Sequence, residues 1–262
     1  MSVQNQFQSA ATGSLTIRFS TPADVPAVLS FYHANQHHNV DNRGDAVFQD
    51  RTEQGRVFLA LMPDNSIGAS SMSHPFTTPL AGGGTGSSTE IGSTLARVDG
   101  FGLYPFIISS QIIHEFLEKP PEGVFFACIH TDNTAVLSLL TKKVGWDVVP
   151  GTQEFADAIG EGPNLHHFNW LNASTNTFAH QARIVLAHID AGYVENRKTG
   201  ERLNLDLSGF SLATKHRAAL TELANGAFGQ MLEQSPAKNL RQTLGLFSAY
   251  MALKSAPNAP KP

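Results

Sequence analysis

The stretch Arg97-Val98-Asp99-Gly100-Phe101-Gly102 constrains this chain more than any other, because it stands between a strand-like run, Glu90 to Arg97, and a helix-like one, Tyr104 to Glu118. Glycines at such a junction let the backbone turn sharply and bring successive N–H groups near one anion, while the following helix offers its positive end. A pyrophosphate is the natural guest. By motif alone, the same residues read equally well as an ordinary glycine turn. A dinucleotide-binding Rossmann unit is excluded, since Pro105 replaces the third glycine and a hairpin precedes the strand.

Around this junction the pattern is that of a mixed α/β domain. Leu15 to Phe19 reads as a strand, and Thr21, Pro22 and Asp24 supply an N-cap, a first-turn proline and a helix-start acid. Val25, Val28, Leu29 and Tyr32 recur at helical spacing behind them. Val57 to Met62 and Ile67 to Met72 predict an antiparallel hairpin, turning at Pro63 to Ser66. His74 to Thr89, rich in Gly, Ser, Thr and Pro, predicts a long loop. Ile108, Ile112, Ile113, Phe116 and Leu117 give Tyr104 to Glu118 an apolar helical face, and Pro120 and Pro121 end it. Val124 to Ile129 is apolar throughout, as a strand covered on both faces would be. A helix from Ala135 to Lys143 closes at Gly145; Trp146 to Val149 and His166 to Leu171 complete the set of strands.

Beyond Asn172 the texture becomes helical. Phe178, Ala182, Val185, Leu186 and Ile189 mark one helix, Leu220 to Met231 a second, and Leu240, Leu244, Phe247 and Met251 a third. Tyr193 to Leu207 predicts a small strand hairpin between the first two. The expected organisation is a domain over 14–171, a mainly helical region over 172–254 and a disordered tail over 255–262. The helices serve either as a homodimer interface or as cover for an exposed face of the same monomer.

Composition removes several classes of function. A net charge of -4 with no basic stripe argues against nucleic acid as partner. One cysteine, Cys128, rules out an internal disulfide and a Cys-based zinc cage. No secretory signal opens the chain, no apolar run is long enough to span a membrane, and a cytoplasmic location is expected.

The succession of elements, with Arg97, Gly100 and Gly102 written as R-x-x-G-x-G, resembles the GNAT family of acyl-CoA N-acyltransferases, whose coenzyme loop reads Q/R-x-x-G-x-G/A. Asn133 after the buried strand, and the pair Gly145 and Trp146 after the next helix, look like two further family features. The likeness covers about residues 15–171. It implies a GNAT-like fold with a mixed sheet, acetyl-CoA as co-substrate, an amine acceptor and direct transfer between the two. It also implies coenzyme contacts along Arg97, Val98, Asp99, Gly100, Phe101, Gly102 and Leu103, with Asn133 nearby. On this reading the Glu90 strand splays from the Val124 strand to admit pantetheine, and Gly100→Glu abolishes coenzyme binding while sparing the fold. Glu90 is the first candidate for the base that takes the amine's proton, and His74 the second. The tyrosine that family members often use as general acid has no counterpart, for Leu140 or Thr141 stands there. A module that binds acyl-CoA without turnover, or an interaction protein, is therefore the alternative.

Other residues are given plainer roles. His33 and His37 share a helix face, but no third ligand is fixed, and solvated histidines with no metal are the expectation. Cys128, between apolar neighbours, reads as an inert core thiol. Lys142 and Lys143 either complement a helix dipole or reach coenzyme phosphates.

Overall fold

A computed structural model of the chain describes residues 13–36, 43–97, 100–174, 177–226 and 240–254. Nine strands form one sheet: β1 (Ser14–Phe19), β2 (Val57–Leu61), β3 (Ile67–Pro79), β4 (Thr85–Ala96), β5 (Phe125–His130), β6 (Asp147–Val149), β7 (Phe168–Ala173), β8 (Tyr193–Glu195) and β9 (Arg202–Asp206). Their order is β6-β7-β5-β4-β3-β2-β1-β9-β8. The four strands β1 to β4 run antiparallel in sequence, and β5 then joins β4 in parallel. A parallel step needs a crossover, and α3 (Leu103–Glu118) supplies it. A mixed sheet is what the sequence leads one to expect, and this one is antiparallel through its first four strands with a parallel step to β5.

Helices α1 (Val25–Ala34) and α2 (Asp45–Glu53) cover one face of the sheet, where Val28, Tyr32 and Phe48 meet Val57, Leu59 and Met72. The other face carries α3 over Leu15, Ile17, Phe58, Ala60 and Ile91. After β5, α4 (Thr134–Leu139) widens into a π turn, Leu140–Val144, and stops at Gly145, whose φ of 84° suits glycine. A short α5 (Gln153–Ala158) precedes β7.

Three elements differ from the sequence expectation. His74 to Thr89 is no loop, because β3 and β4 run on through it to a tip at Leu80 to Gly84. Its polar residues pair with one another across the ladder, Thr78 Oγ1 lying 2.6 Å from Ser88 Oγ, so polarity there marks a self-satisfied ribbon. His166 and His167 belong to a tight turn, Gly162–His167, before β7. Helix α2 lacked a strong apolar period and was not foreseen.

The residues after 172 continue the same structure. Strand β9 pairs with β1 in parallel, and β8 with β9. Helices α6 (Phe178–Ala191), α7 (Arg217–Ala224) and α8 (Leu240–Lys254) follow, and Phe178, Leu220 and Phe247 join the core around α3. Polar residues of α3, Ser109, Ser110, Gln111, His114 and Glu115, are buried as well, Gln111 and Glu115 against the sheet side. The second half of the expected helix ending at Met231, and the expected disordered tail, lie outside the described residues. Among those described, no helix is long and apolar enough to cross a membrane.

One buried ion pair ties α3 to the sheet. Arg56 Nη1 donates to Glu115 Oε2 at 2.5 Å, and Ser73 Oγ donates to Glu115 Oε1 at 2.6 Å. Burial pushes the Glu115 carboxyl up, while the Arg56 charge and the Ser73 hydroxyl pull it back. Glu115→Ala leaves Arg56 facing the core without this partner, a loss that costs about 3–5 kcal/mol. Urea unfolding should show a lower midpoint at an unchanged slope, and a wild-type midpoint would deny the pair its role.

Candidate functional site

Strands β4 and β5 pair at only two positions, Thr89 with Phe125 and Glu90 with Phe126. Beyond these the strands part, and a cavity of about 290 Å³ opens between them, walled by α3 and α4. Its β4 wall runs from Glu90 to Thr94, and its β5 wall from Ala127 to His130.

A bulge in β4 shapes the gap. Ser70 pairs with Leu95 and Met72 with Gly92, so two steps along β3 are matched by three along β4. Ser93 takes up the excess with a φ of 47°, uncommon for a residue other than glycine. Two side chains hold it there: Tyr32 donates its hydroxyl to Ser93 O at 2.6 Å, and His74 Nε2 lies 3.3 Å from Ser93 Oγ.

Glu90 lines the cavity at 5% exposure, and Arg43 Nη2 donates to its Oε2 at 2.6 Å. An amine entering there meets an anionic oxygen already held by a cation. His74 pairs with Glu90 across the β3–β4 ladder but lies beneath the surface, reaching the cavity wall only through Ser93. Burial first, then the charges of Arg43, Arg51 and Arg56, hold the imidazole well below its ordinary value and therefore neutral.

The opposite end of the cavity is formed by α3 and α4. Leu140 lines it, while Thr141 returns its hydroxyl to Leu137 O at 2.9 Å. Tyr104, on the first turn of α3, stands in the wall instead. Burial pushes its phenol up to about 12, opposed by a hydrogen bond with Thr94, so it stays a donor. Sequence reading passed over Tyr104 because it sits on a different helix from the expected tyrosine. Its signal was an aromatic hydroxyl directly behind a glycine turn.

Trp146 reaches the same wall. Gly145 ends the α4 segment, the Trp146 amide donates to Leu140 O at 3.1 Å, and the indole turns inward at 3% exposure. Its Nε1–H has no hydrogen-bond partner among the described residues. An orphaned buried N–H costs about 1–3 kcal/mol, and an acceptor on a bound molecule would remove that cost.

The glycine loop lies at the start of α3. Gly100 and Gly102 have φ of 82° and 65°, and a Cβ on Gly102 would meet nothing within 4 Å. Phe101 and Leu103 are core anchors at 8% and 2% exposure. Arg97 is exposed, and its amide donates to Gly68 O at 2.7 Å. Val98 and Asp99 lie outside the described residues. Asn133 lines the cavity while its Oδ1 caps α4 at the Val136 amide. Gly100 differs from expectation, for its side-chain direction points at Asn196 of the β8–β9 turn, 2.7 to 2.9 Å from an added Cβ. Gly100→Glu must therefore displace the Asn196 side chain of the protein's own hairpin, so a loss of coenzyme binding at this site would not come from the ligand clash alone.

Cys128 lines the wall, and burial raises its thiol far above the ordinary value, leaving it an inert S–H. His33 Nε2 lies 2.6 Å from Asp45 Oδ1 at the surface, whereas His37 and His38 fall outside the described residues. Among those described, no three His, Cys, Asp or Glu converge as a metal site would need.

No protein-family model and no curated protein matches the chain. Among solved structures, an N-acetyltransferase from Staphylococcus aureus Mu50 is similar at 11% identity and a TM-score of 0.41, over 61% of this chain and 97% of that one. A GNAT-family acetyltransferase from Streptococcus pneumoniae is similar at 14% identity and a TM-score of 0.41, over 61% and 96%. Arabidopsis thaliana NAA60, in complex with a bisubstrate analogue, gives 11% identity and a TM-score of 0.42, over 61% and 97%.

The two glycines of the loop should behave differently. Gly102→Ala carries only the left-handed backbone cost of about 1–2 kcal/mol, whereas Gly100→Ala adds the collision with Asn196. Thermal unfolding should rank Gly100→Ala clearly below Gly102→Ala, and equal losses would contradict the docked hairpin.

Proposed function

We propose that this protein is an N-acyltransferase that moves an acyl group, most simply acetyl, from acyl-CoA to a primary amine of a small molecule or protein. The observation that carries the reading is the gap where β4 and β5 part, lined by Glu90, Tyr104 and Trp146. The residues fit the coenzyme at two points. The gap takes an extended arm between two strand edges, and open backbone at Gly102 faces the start of a long helix. A lone buried cysteine is in keeping with a reducing, cytoplasmic setting.

In the reaction the amine nitrogen bonds to the thioester carbonyl carbon, the carbon–sulfur bond breaks, the amine gives up a proton and the departing sulfur takes one. Strand edges that no longer pair with each other offer backbone N–H groups to the developing oxyanion. Glu90 is the group placed to orient the amine and accept its proton, with Arg43 setting the charge around it. His74 acts behind it, positioning Ser93 at the bulge. Tyr104 lines the same cavity with its phenol protonated and is the candidate to give the departing sulfur its proton, and the Trp146 ring packs in the wall beside it.

A second reading, a GNAT-like module that binds acyl-CoA without turnover, is favoured by Leu140 and Thr141 standing in place of a tyrosine. One experiment separates the two. With acetyl-CoA and a panel of amines, an enzyme releases free thiol above the blank, and Glu90→Gln lowers turnover by about a hundredfold, the lower end of what a general base contributes. Silence across the panel together with thermal stabilisation by coenzyme A, about 2.7 kcal/mol at a hundred times its dissociation constant, would mark the binding module. Neither thiol release nor stabilisation would end both readings.

A further inference from the structure

The cavity between β4 and β5, at about 290 Å³, lies at the floor of the range for drug-sized ligands, about 300–1,000 Å³. That is room for the thiol-bearing arm of coenzyme A and not for its nucleotide as well. If the acyl-CoA reading holds, the phosphorylated adenosine must lie elsewhere, within reach of the glycine loop.

A groove of about 570 Å³ sits on the far side of the first turn of α3. Tyr104 and Ile108 face the first cavity, whereas Gly102 and Pro105 face the groove, so one helical turn separates the two. The groove is completed by residues from beyond 172, among them Ala187 of α6 and Tyr193 of β8. Its floor is mostly apolar, and two cations stand in its wall, Lys143 at the end of the α4 segment and Arg197 in the β8–β9 turn. Apolar floor and paired cations suit a purine carrying phosphates. One anion lines the groove, Glu195, and its Oε2 accepts from Arg202 Nε at 2.5 Å. His188 stacks on Phe106 at 4.7 Å between centroids, and burial lowers it below its ordinary value, so it adds no charge at neutral pH.

The turn that carries Arg197 is fixed to the glycine loop. The Arg197 amide donates to Gly100 O at 3.4 Å, and the Asn196 side chain fills the space beside Gly100. Asn196 Oδ1 also accepts from the Lys198 amide at 3.0 Å, which holds the turn closed. Because β9 pairs with β1, the position of Arg197 is set by the sheet itself.

We propose that the β8–β9 hairpin completes the coenzyme site, the groove holding the nucleotide end of coenzyme A with Arg197 and Lys143 as counter-ions to its phosphates. The region after 172 is then part of the substrate site. The guanidinium of Arg197 and the ammonium of Lys143 make the chain selective for thioesters that carry the nucleotide over those that end at pantetheine.

The test is calorimetric titration of the full chain with coenzyme A, and competition by adenosine bisphosphate, for wild type, Arg197→Ala, Arg197→Gln and Lys143→Ala. Side-chain changes at Arg197 spare the latch, since the contact to Gly100 is made by its backbone amide. Each variant should keep the wild-type melting temperature and bind coenzyme A about tenfold more weakly, as expected for one lost charge-assisted hydrogen bond. The bisphosphate should displace coenzyme A from wild type. Variants that bind coenzyme A as wild type does, or a bisphosphate that fails to compete, would overturn the hairpin's role and leave the acyltransferase reading standing. Wild type that takes up no coenzyme A would overturn both.

Discussion

The parting of β4 and β5 after two pairs is the constraint on which the rest of this structure depends. Two parallel strands that stop pairing leave rows of N–H and C=O groups facing a gap, and buried groups of that kind require partners. A bulge at Ser93 re-aims the β4 edge, and it persists because Tyr32 and His74 reach the same residue from below. Strain at a single non-glycine residue is thereby borne by one helix and a neighbouring strand. The cavity, the inward-facing Trp146 and the placement of Glu90 beside Arg43 all follow from that gap.

The region after 172 changes what α3 is. Ser109, Ser110, Gln111 and His114 are all buried, Gln111 donating to Arg56 O at 3.2 Å on the sheet side and His114 meeting both Phe19 of β1 and a residue from beyond 172. Ser211 Oγ lies 3.2 Å from His114 Nδ1, and the rings of Phe178 and Phe116 meet at a tilt with centroids 4.6 Å apart. Together with the parallel pairing of β9 to β1, these contacts fix α3 from its outer side and place the β8–β9 turn against its glycine start. Helix position and loop geometry are therefore coupled through residues far apart in sequence.

Apolar spacing made α3, β5 and the first hairpin readable from sequence, since Ile108, Ile112, Ile113 and Phe116 mark one helical face and Val124 to Ile129 a buried strand. Gly100, Gly102 and Gly145 were readable because each stands where a turn needs a positive φ. The ribbon from His74 to Thr89 was not, because its Ser and Thr residues satisfy one another across strands, a pairing that period-based reasoning takes for a loop. Arg43 and Tyr104 were missed for another reason. Their place in the cavity is set by tertiary packing, and nothing in local spacing announces it. Glu90 was found because it leads into the glycine loop, and the structure puts it in the cavity wall.

Two indole N–H groups offer the most direct measurement of the central claim, that an acyl-CoA arm occupies the gap between β4 and β5. Trp170 Nε1 already donates to Leu165 O at 3.1 Å and its ring stands outside the cavity, whereas the Trp146 side chain lines the cavity and its buried Nε1 has no partner among the described residues. In a nitrogen-labelled sample titrated with acetyl-CoA, the Trp146 indole resonance should move as the arm packs against its ring while that of Trp170 stays. A saturating titration that leaves Trp146 unmoved would contradict the account.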